Sequence, residues 1–425
     1  MTTIRYTNDL GNGHSGYVDY DSIQVTTASG QAVTTTPNGL TGSDAFGRFR
    51  VSNPITVFDS QHRYKENNKW SSASGVGGSI AYQTNESAVN LVVTSTSGSY
   101  VYRQTKKVFP YQPGKSLQIL NSFAFAPAQT NLRQRVGFFS TQNGIFLEQD
   151  GGTTYFVLRS YVTGSVVDTR IPQSQWNVDQ LNGFGLSGVT LDISKANIFW
   201  CDIEWLGVGN VRCGLVINEK LILCHVFRNA NAKTTTYMTT AALPLRQEIE
   251  ATNTLASGAT AKQVCASVVS EGGYNAAGET YSVDRGGTVL TLATGNVTYP
   301  VISIRLNSSR LDSVVVPSNI QGIVTTNDNI KWSLVLNPTL SGTSYVTHSN
   351  GNVDYDITAT SISGGTQIAA GYISKGSQIA LGGIADFTYQ LGRTIAGVSD
   401  VLTIAATPVT NNTNVLFSLQ WVEIL

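Results

Sequence analysis

Asp202 and Glu204 are the two carboxylates in this chain with the spacing best suited to acid–base chemistry. Residues i and i+2 of a β-strand point to the same face, and a glycosidase needs two carboxyl groups turned toward one substrate. Along one strand, however, their Cα atoms would lie only about 6.6 Å apart. The same spacing describes a half-buried strand whose polar face meets water, and that is the stronger reading.

Cys213, Cys224 and His225 suggest a second chemistry, a metal held by thiolates and an imidazole. Adjacent strand residues point to opposite faces, so Cys224 and His225 are not expected to reach one ion. Cys201, Cys213, Cys224 and Cys265 show no CxxC spacing, and buried free thiols are the expectation for them. His14, His62, His225 and His348 show no zinc-like spacing either. Asn327-Asp-Asn329 and Asp354-Tyr-Asp356 could offer oxygen ligands to calcium, but such fragments are common in Asn-rich turns.

The chain contains no GxSxG elbow, no phosphate-binding GxxxxGK[ST] loop, no HExxH and no complete calcium loop. No catalytic residue, metal site or cofactor is therefore assigned, and the expectation is a protein that is not an enzyme. Gln104-Thr-Lys-Lys107 and Asn131-Leu-Arg-Gln-Arg135 are basic clusters close to aromatic residues. They read as a solvated strand face or as salt bridges, because nucleic-acid binders carry a much larger positive excess.

Composition says which elements must position these groups. Of 425 residues, 41 are Gly and only 13% are charged, against about 25% in an average globular protein. Helical proteins fill their exposed faces with Glu, Lys and Arg, so this profile favours strands and turns. Lys plus Arg and Asp plus Glu number 27 each, which leaves no net field to attract nucleic acid or an anionic membrane. No apolar run approaches the roughly 18 to 20 residues of a membrane helix, and the start MTTIRYTNDLGNG lacks the marks of a signal peptide. The expectation is a soluble chain with no membrane insertion, made in a reducing compartment.

Short alternating runs fill the middle of the chain: Ala88–Val93, Ser116–Leu120, Val136–Phe139, Gly144–Leu147 and Thr154–Leu158. Gln142-Asn-Gly144 and Gln149-Asp-Gly-Gly152 supply the turn chemistry of tight hairpins. In the densest stretch, Phe199, Cys201, Ile203 and Trp205 should share one strand face, with Asp202 and Glu204 on the other. Pro244 argues for an extended segment over Ala241–Glu250 instead of a helix.

The reading is all-β: an extended N-terminal docking arm over 1–57, a β-sandwich or jelly-roll-like domain over 58–250, and a second β-rich domain over 251–425. The arm is polar, with Phe46, Phe49 and Pro54 as its apolar docking anchors. The alternating end Val415–Ile424 is expected to pair inside a sheet. The aromatic residues, 18 Tyr and 6 Trp among them, sit mostly inside apolar runs and read as core.

Three stretches carry a resemblance. The segment from Asp44 to Tyr64, DAFGRFRVSNPITVFDSQHRY, resembles the N-terminal region of tailed-bacteriophage virion structural proteins, notably those of marine and cyanobacterial phages. Ile203–Ile217, and then Phe227-Arg-Asn-Ala-Asn231 with Leu243-Pro-Leu-Arg246, are similar to the same family. The resemblance spans about 44–250, with a fainter likeness at Tyr299–Leu306.

It implies a structural component of the virion, leaves its place on the particle open and transfers no catalytic residue; the leading expectation is the tail, baseplate or fibre apparatus. The alternatives are a head or neck decoration, cement or head-fibre protein, and a carbohydrate-binding host-recognition adhesin. The implied partners are further copies of the chain, in a homo-oligomer such as a trimer, other virion proteins and a host surface glycan.

Overall fold

The computed structural model describes residues 23–26, 32–35, 53–275, 278–375, 378–382 and 389–424. The chain divides into two units, residues 1–53 and 54–425. In the first, β1 (Ile23–Thr26) pairs antiparallel with β2 (Ala32–Thr35). Phe46 and Phe49 lie outside the described residues.

The second unit opens with a β-sandwich. Its strands begin with β3 (Ile55–Ser60), β4 (Trp70–Gly75), β5 (Ser79–Gln83), β6 (Ala88–Val93) and β7 (Tyr100–Thr105). Next come β8 (Leu117–Ala124), β9 (Leu132–Phe139), β10 (Gly144–Asp150), β11 (Thr153–Ser160) and β12 (Val167–Pro172). The set closes with β13 (Ala196–Ile203), β14 (Val211–Ile217), β15 (Lys220–Phe227), β16 (Leu245–Ala251) and β17 (Ala259–Ser270).

One sheet has the order β12-β11-β10-β9-β16-β7-β4, and the other β15-β14-β13-β8-β17-β6-β5 with β3 also on β17. Late strands β16 and β17 insert between early ones, which is a jelly-roll-like winding of antiparallel sheets. The alternation in the sequence explains the layering. Along β8, Leu117, Ile119 and Phe123 face inward while Gln118, Leu120 and Ser122 face outward. Phe123, Phe138, Phe156 and Phe199 meet in the core between the sheets. Pro244 precedes β16, so the stretch around it is extended, as expected.

A second sandwich follows. It contains β18 (Glu279–Asp284), β19 (Leu290–Leu292), β20 (Tyr299–Leu306), β21 (Val314–Val324), β22 (Ile330–Leu336) and β23 (Thr339–Ser341). Then come β24 (Val346–Thr347), β25 (Val353–Asp356), β26 (Ser361–Ser363), β27 (Thr366–Ile373) and β28 (Gln378–Gly382). It ends with β29 (Val401–Pro408) and β30 (Thr413–Ile424).

Its sheets run β18-β30-β21-β28, with β19 also on β30, and β24-β25-β20-β29-β22-β27; β23 pairs with β26. Trp421, Leu419, Ile304 and Leu334 share its core. The C-terminal run is thus the paired inner strand its alternation called for.

Two boundaries fall differently from the sequence reading. β17 pairs with β3, β6 and β8, so 259–270 belongs to the first sandwich and not to a domain beginning at 251. Its inward residues Ala261, Ala266 and Val268 are small, and the stretch lacks the aromatic signature of its neighbours. β3 begins at Ile55, inside the expected arm, and Pro54 just before it is exposed. Among the described residues no helix is long and apolar enough to cross a membrane.

Candidate functional site

β13 carries Asp202 on the outer face of the eight-stranded sheet, with Gln118 and Arg212 directly across from it on the flanking strands. Asp202 is 4% exposed and ion-paired with Arg212. Glu204 lies one residue beyond the strand and is exposed. Its Oε2 accepts the Asn210 amide at 3.3 Å, and its own amide donates to the Asn210 carbonyl at 3.1 Å. The two carboxylates therefore do different things, one tying strands together and the other closing the β13–β14 turn. Phe199, Cys201 and Ile203 take the core face, as expected, and Trp205 packs against that core.

Trp200, next to Asp202, lies across Gly214 of β14. A Cβ at residue 214 would come within 2.8 Å of the indole Nε1 and 1.9 Å of the Ile222 carbonyl oxygen. Only glycine fits there.

Further along the same outer face is a groove of about 570 Å³. Leu120, Ile198, Val216, Leu221 and Cys265 line its apolar part, and Gln118 and Ser267 are among its polar residues. None of its lining residues is aromatic.

The outer face of the seven-stranded sheet is built of paired charges. Arg135 Nε donates to Glu148 Oε2 at 2.6 Å, and its Nη1 to Glu248 Oε2 at 3.0 Å. Arg246 Nε reaches Glu248 Oε1 at 2.5 Å, and Arg170 Nε reaches Glu148 Oε1 at 2.7 Å. Arginines also cover the aromatic rings on this face. The Arg135 and Arg159 guanidinium carbons stand 5.6 and 5.1 Å from the Phe146 ring centre, and that of Arg170 stands 4.1 Å from Tyr155.

Burial by itself opposes ionisation of Glu248, but the Arg246 and Arg135 guanidinium groups outweigh it and hold its pKa below the usual carboxylate range. The basic cluster at 131–135 thus resolves into ion pairs. Glu148 and Glu248 escaped the sequence reading because Arg135, the partner they share, lies on another strand. The signal available was the period-two spacing of Arg133 and Arg135, matched by Glu248 and Glu250.

The thiols of Cys201, Cys213 and Cys224 are buried, and burial raises the pKa of each, that of Cys224 to about 12. The opposite-face argument for Cys224 and His225 fails, because the register of β14 on β15 shifts between Cys213 and Gly214. This bulge turns His225 to the core side as well, its ring 4.6 Å from that of the core residue Phe227. Among the described residues no three His, Cys, Asp or Glu side chains converge as a metal would require.

The suspected calcium fragments brace loops. Asp328 accepts the Asn329 and Thr410 amides, and Asp356 accepts those of Ser344 and Ala359. Asp354 is bonded by Arg305, Asn307 and Thr347.

No family model and no curated protein sequence matches the chain. Solved structures do, over about half of it. A Bacillus licheniformis β-glucanase is 10% identical with a TM-score of 0.35, covering 50% of this chain and 96% of its own. The carbohydrate recognition domain of Emp47p is 14% identical with a TM-score of 0.32, covering 54% and 99%. The CBM2 module of the evolved Dit of Lactobacillus casei BL23 phage J-1 is 9% identical with a TM-score of 0.34, covering 53% and 100%. These likenesses concern the β-sandwich fold and assign no chemistry to this chain.

Proposed function

We propose that this chain is a non-enzymatic structural subunit of a phage virion, working in the tail, baseplate or fibre apparatus by binding and not by bond cleavage. One observation carries the non-catalytic part: the buried carboxylates on both outer faces of the first sandwich are tied to arginines. Asp202 is held by Arg212, and Glu148 and Glu248 share Arg135. A glycosidase needs one carboxyl group kept protonated to donate to the leaving oxygen, and for Glu248 the Arg246 and Arg135 guanidinium groups favour the opposite state. The virion assignment rests on the resemblance over about 44–250.

Gold-labelled antibody against the chain, applied to purified particles of the encoding phage, tests it. Label at the tail end supports the reading; label over the head or neck replaces it with a decorating role, and absence from particles removes it. Shortening of a polysaccharide incubated with the protein would overturn the non-enzymatic part.

A carbohydrate-binding role on the same particle is the second reading, favoured by Tyr372, 78% exposed on edge strand β27. A glycan array with wild type and Tyr372→Ala tests it; no captured glycan sinks it.

A further inference from the structure

A trench runs between the two sandwiches. One part, of about 350 Å³, is lined by Tyr111 and Trp205 of the first sandwich and by Arg310, Asp312 and Asn352 of the second. The other, of about 380 Å³, has Ser140 and Asn143 on one side and Ser309 and Arg393 on the other. Thr240, Ala242 and Asp312 line both, so the two parts adjoin. Each volume falls in the range of small-molecule sites.

Unused bonding capacity sets the trench apart. On the seven-stranded sheet Arg135, Arg170 and Arg246 are all ion-paired. In the trench, among the described residues, Arg310, Asp312 and Arg393 enter no ion pair and the Asn352 side-chain amide makes no hydrogen bond. The Arg393 Nε is moreover buried without a partner, a costly state for a charged donor. Burial lowers the Arg393 pKa and Asp312 opposes that shift, so the carboxylate is felt there from beyond ion-pair contact. A hydroxyl group suits the space between them, since it donates to a carboxylate and accepts from a guanidinium.

The walls are set in advance. Trp205 stands at the β13–β14 turn, its carbonyl accepting the Val208 and Gly209 amides at 3.0 and 2.8 Å and its ring meeting that of Tyr237 edge-on at 4.8 Å. Asn143 is fixed by Thr239, donating from Nδ2 to Oγ1 at 2.7 Å and accepting the Thr239 amide on Oδ1 at 3.0 Å. On the opposite wall the Arg310 amide donates to the Asn307 carbonyl at 2.9 Å and the Ser313 amide to the Arg310 carbonyl at 3.1 Å, which holds the turn carrying Arg310 and Asp312.

We propose that this trench binds a short oligosaccharide, with one sugar ring packed on Trp205 and Tyr111 and the hydroxyls of the next bridging Asp312 to Arg393. A saccharide presents C–H faces to aromatic rings and hydroxyls that both donate and accept. A phosphate-rich ligand would meet the Asp312 carboxylate, and an apolar one would bury the charges unpaired. This site rests on the carbohydrate-binding reading and is separate from Tyr372, which lines neither part of the trench.

An array of short bacterial surface oligosaccharides, probed with the full chain, tests it. Wild type should capture at least one of them, and Asp312→Asn and Arg393→Gln should each weaken that capture about tenfold or more, the effect of losing a charged hydrogen bond. Asp312 is exposed on a turn, so Asp312→Asn should fold, and unchanged melting temperatures check both variants. Capture that both folded variants leave intact would overturn the trench site while the carbohydrate-binding reading stands. No capture by wild type would overturn both, with the labelling experiment on particles unaffected.

Discussion

Arg135 on β9 stands directly opposite Glu148 on β10, and its Nε donates to the Glu148 Oε2 at 2.6 Å. The strand on its other side places Glu248 opposite the same arginine, so one guanidinium serves two carboxylates that are 1% and 5% exposed.

Arg135→Leu should therefore destabilise the protein by about 1–3 kcal/mol, because each carboxylate loses a charged hydrogen bond and keeps one guanidinium, Arg170 for Glu148 and Arg246 for Glu248. Arg135→Leu combined with Glu148→Gln should cost less, since Glu248 keeps Arg246 and Arg170 keeps Asp150, so no buried charge is left over. Denaturant midpoints at unchanged m-value measure both. Equal losses in the two variants would show that packing of the arginine stem, and not charge pairing, holds this face together.

Acid should weaken the fold before the carboxylates titrate. Burial, with Arg103 adding to it and Glu66 opposing it, lowers the His62 pKa from 6.5 to about 4, and burial does the same to His225. In each ring Nδ1 accepts a backbone amide, from Asn67 at 3.1 Å and from Asn177 at 3.3 Å, so protonation there would break a bond. Between pH 6.5 and 4 the unfolded state binds protons that the folded state does not. Stability is full above pH 6.5 and falls as pH drops through that window, by up to about 1.4 kcal/mol per pH unit per histidine. His62→Gln and His225→Gln should each flatten the slope; a stability curve level from pH 6.5 to 4.5 in the wild type contradicts this.

Thiol labelling reads the core of the first sandwich. Cys201, Cys213 and Cys224 are buried with raised pKa values, while Cys265 is half-buried at the groove. A thiol reagent should modify at most one cysteine of the native protein and all four after denaturation. Rapid labelling of two or more native thiols would place the β13–β15 region outside the core.

The last strand should be indispensable. Trp421 is fully buried on β30, which pairs with β18, β19 and β21, and its indole Nε1 donates to Glu423 at 2.9 Å. Trp421→Ala should cost about 3–5 kcal/mol. Removing the last ten residues should abolish soluble, cooperative folding of the second sandwich. A truncated chain that still unfolds in one sharp transition with the wild-type midpoint would refute this.

Strand alternation made much of this fold legible from sequence. The alternation of Phe199, Cys201 and Ile203 against Asp202 assigns a core face and an outer face with no partner in view, because strand geometry sends successive side chains to opposite sides. Pro244 and the terminal run Val415–Ile424 were readable for the same local reason. Local rules stop at irregularities and at pairing. The bulge opposite Cys213 moved His225 to the side that alternation denied it, and the small residues of β17 concealed a strand in the middle of a sheet. The company each carboxylate keeps was likewise out of reach. Asp202 and Arg212 are 10 residues apart, and Arg135 and Glu248 are 113 apart. Which charge meets which, and which apolar residues remain uncovered as Phe184 and Leu186 do, follows from strand order and register, which only the packed tertiary structure decides.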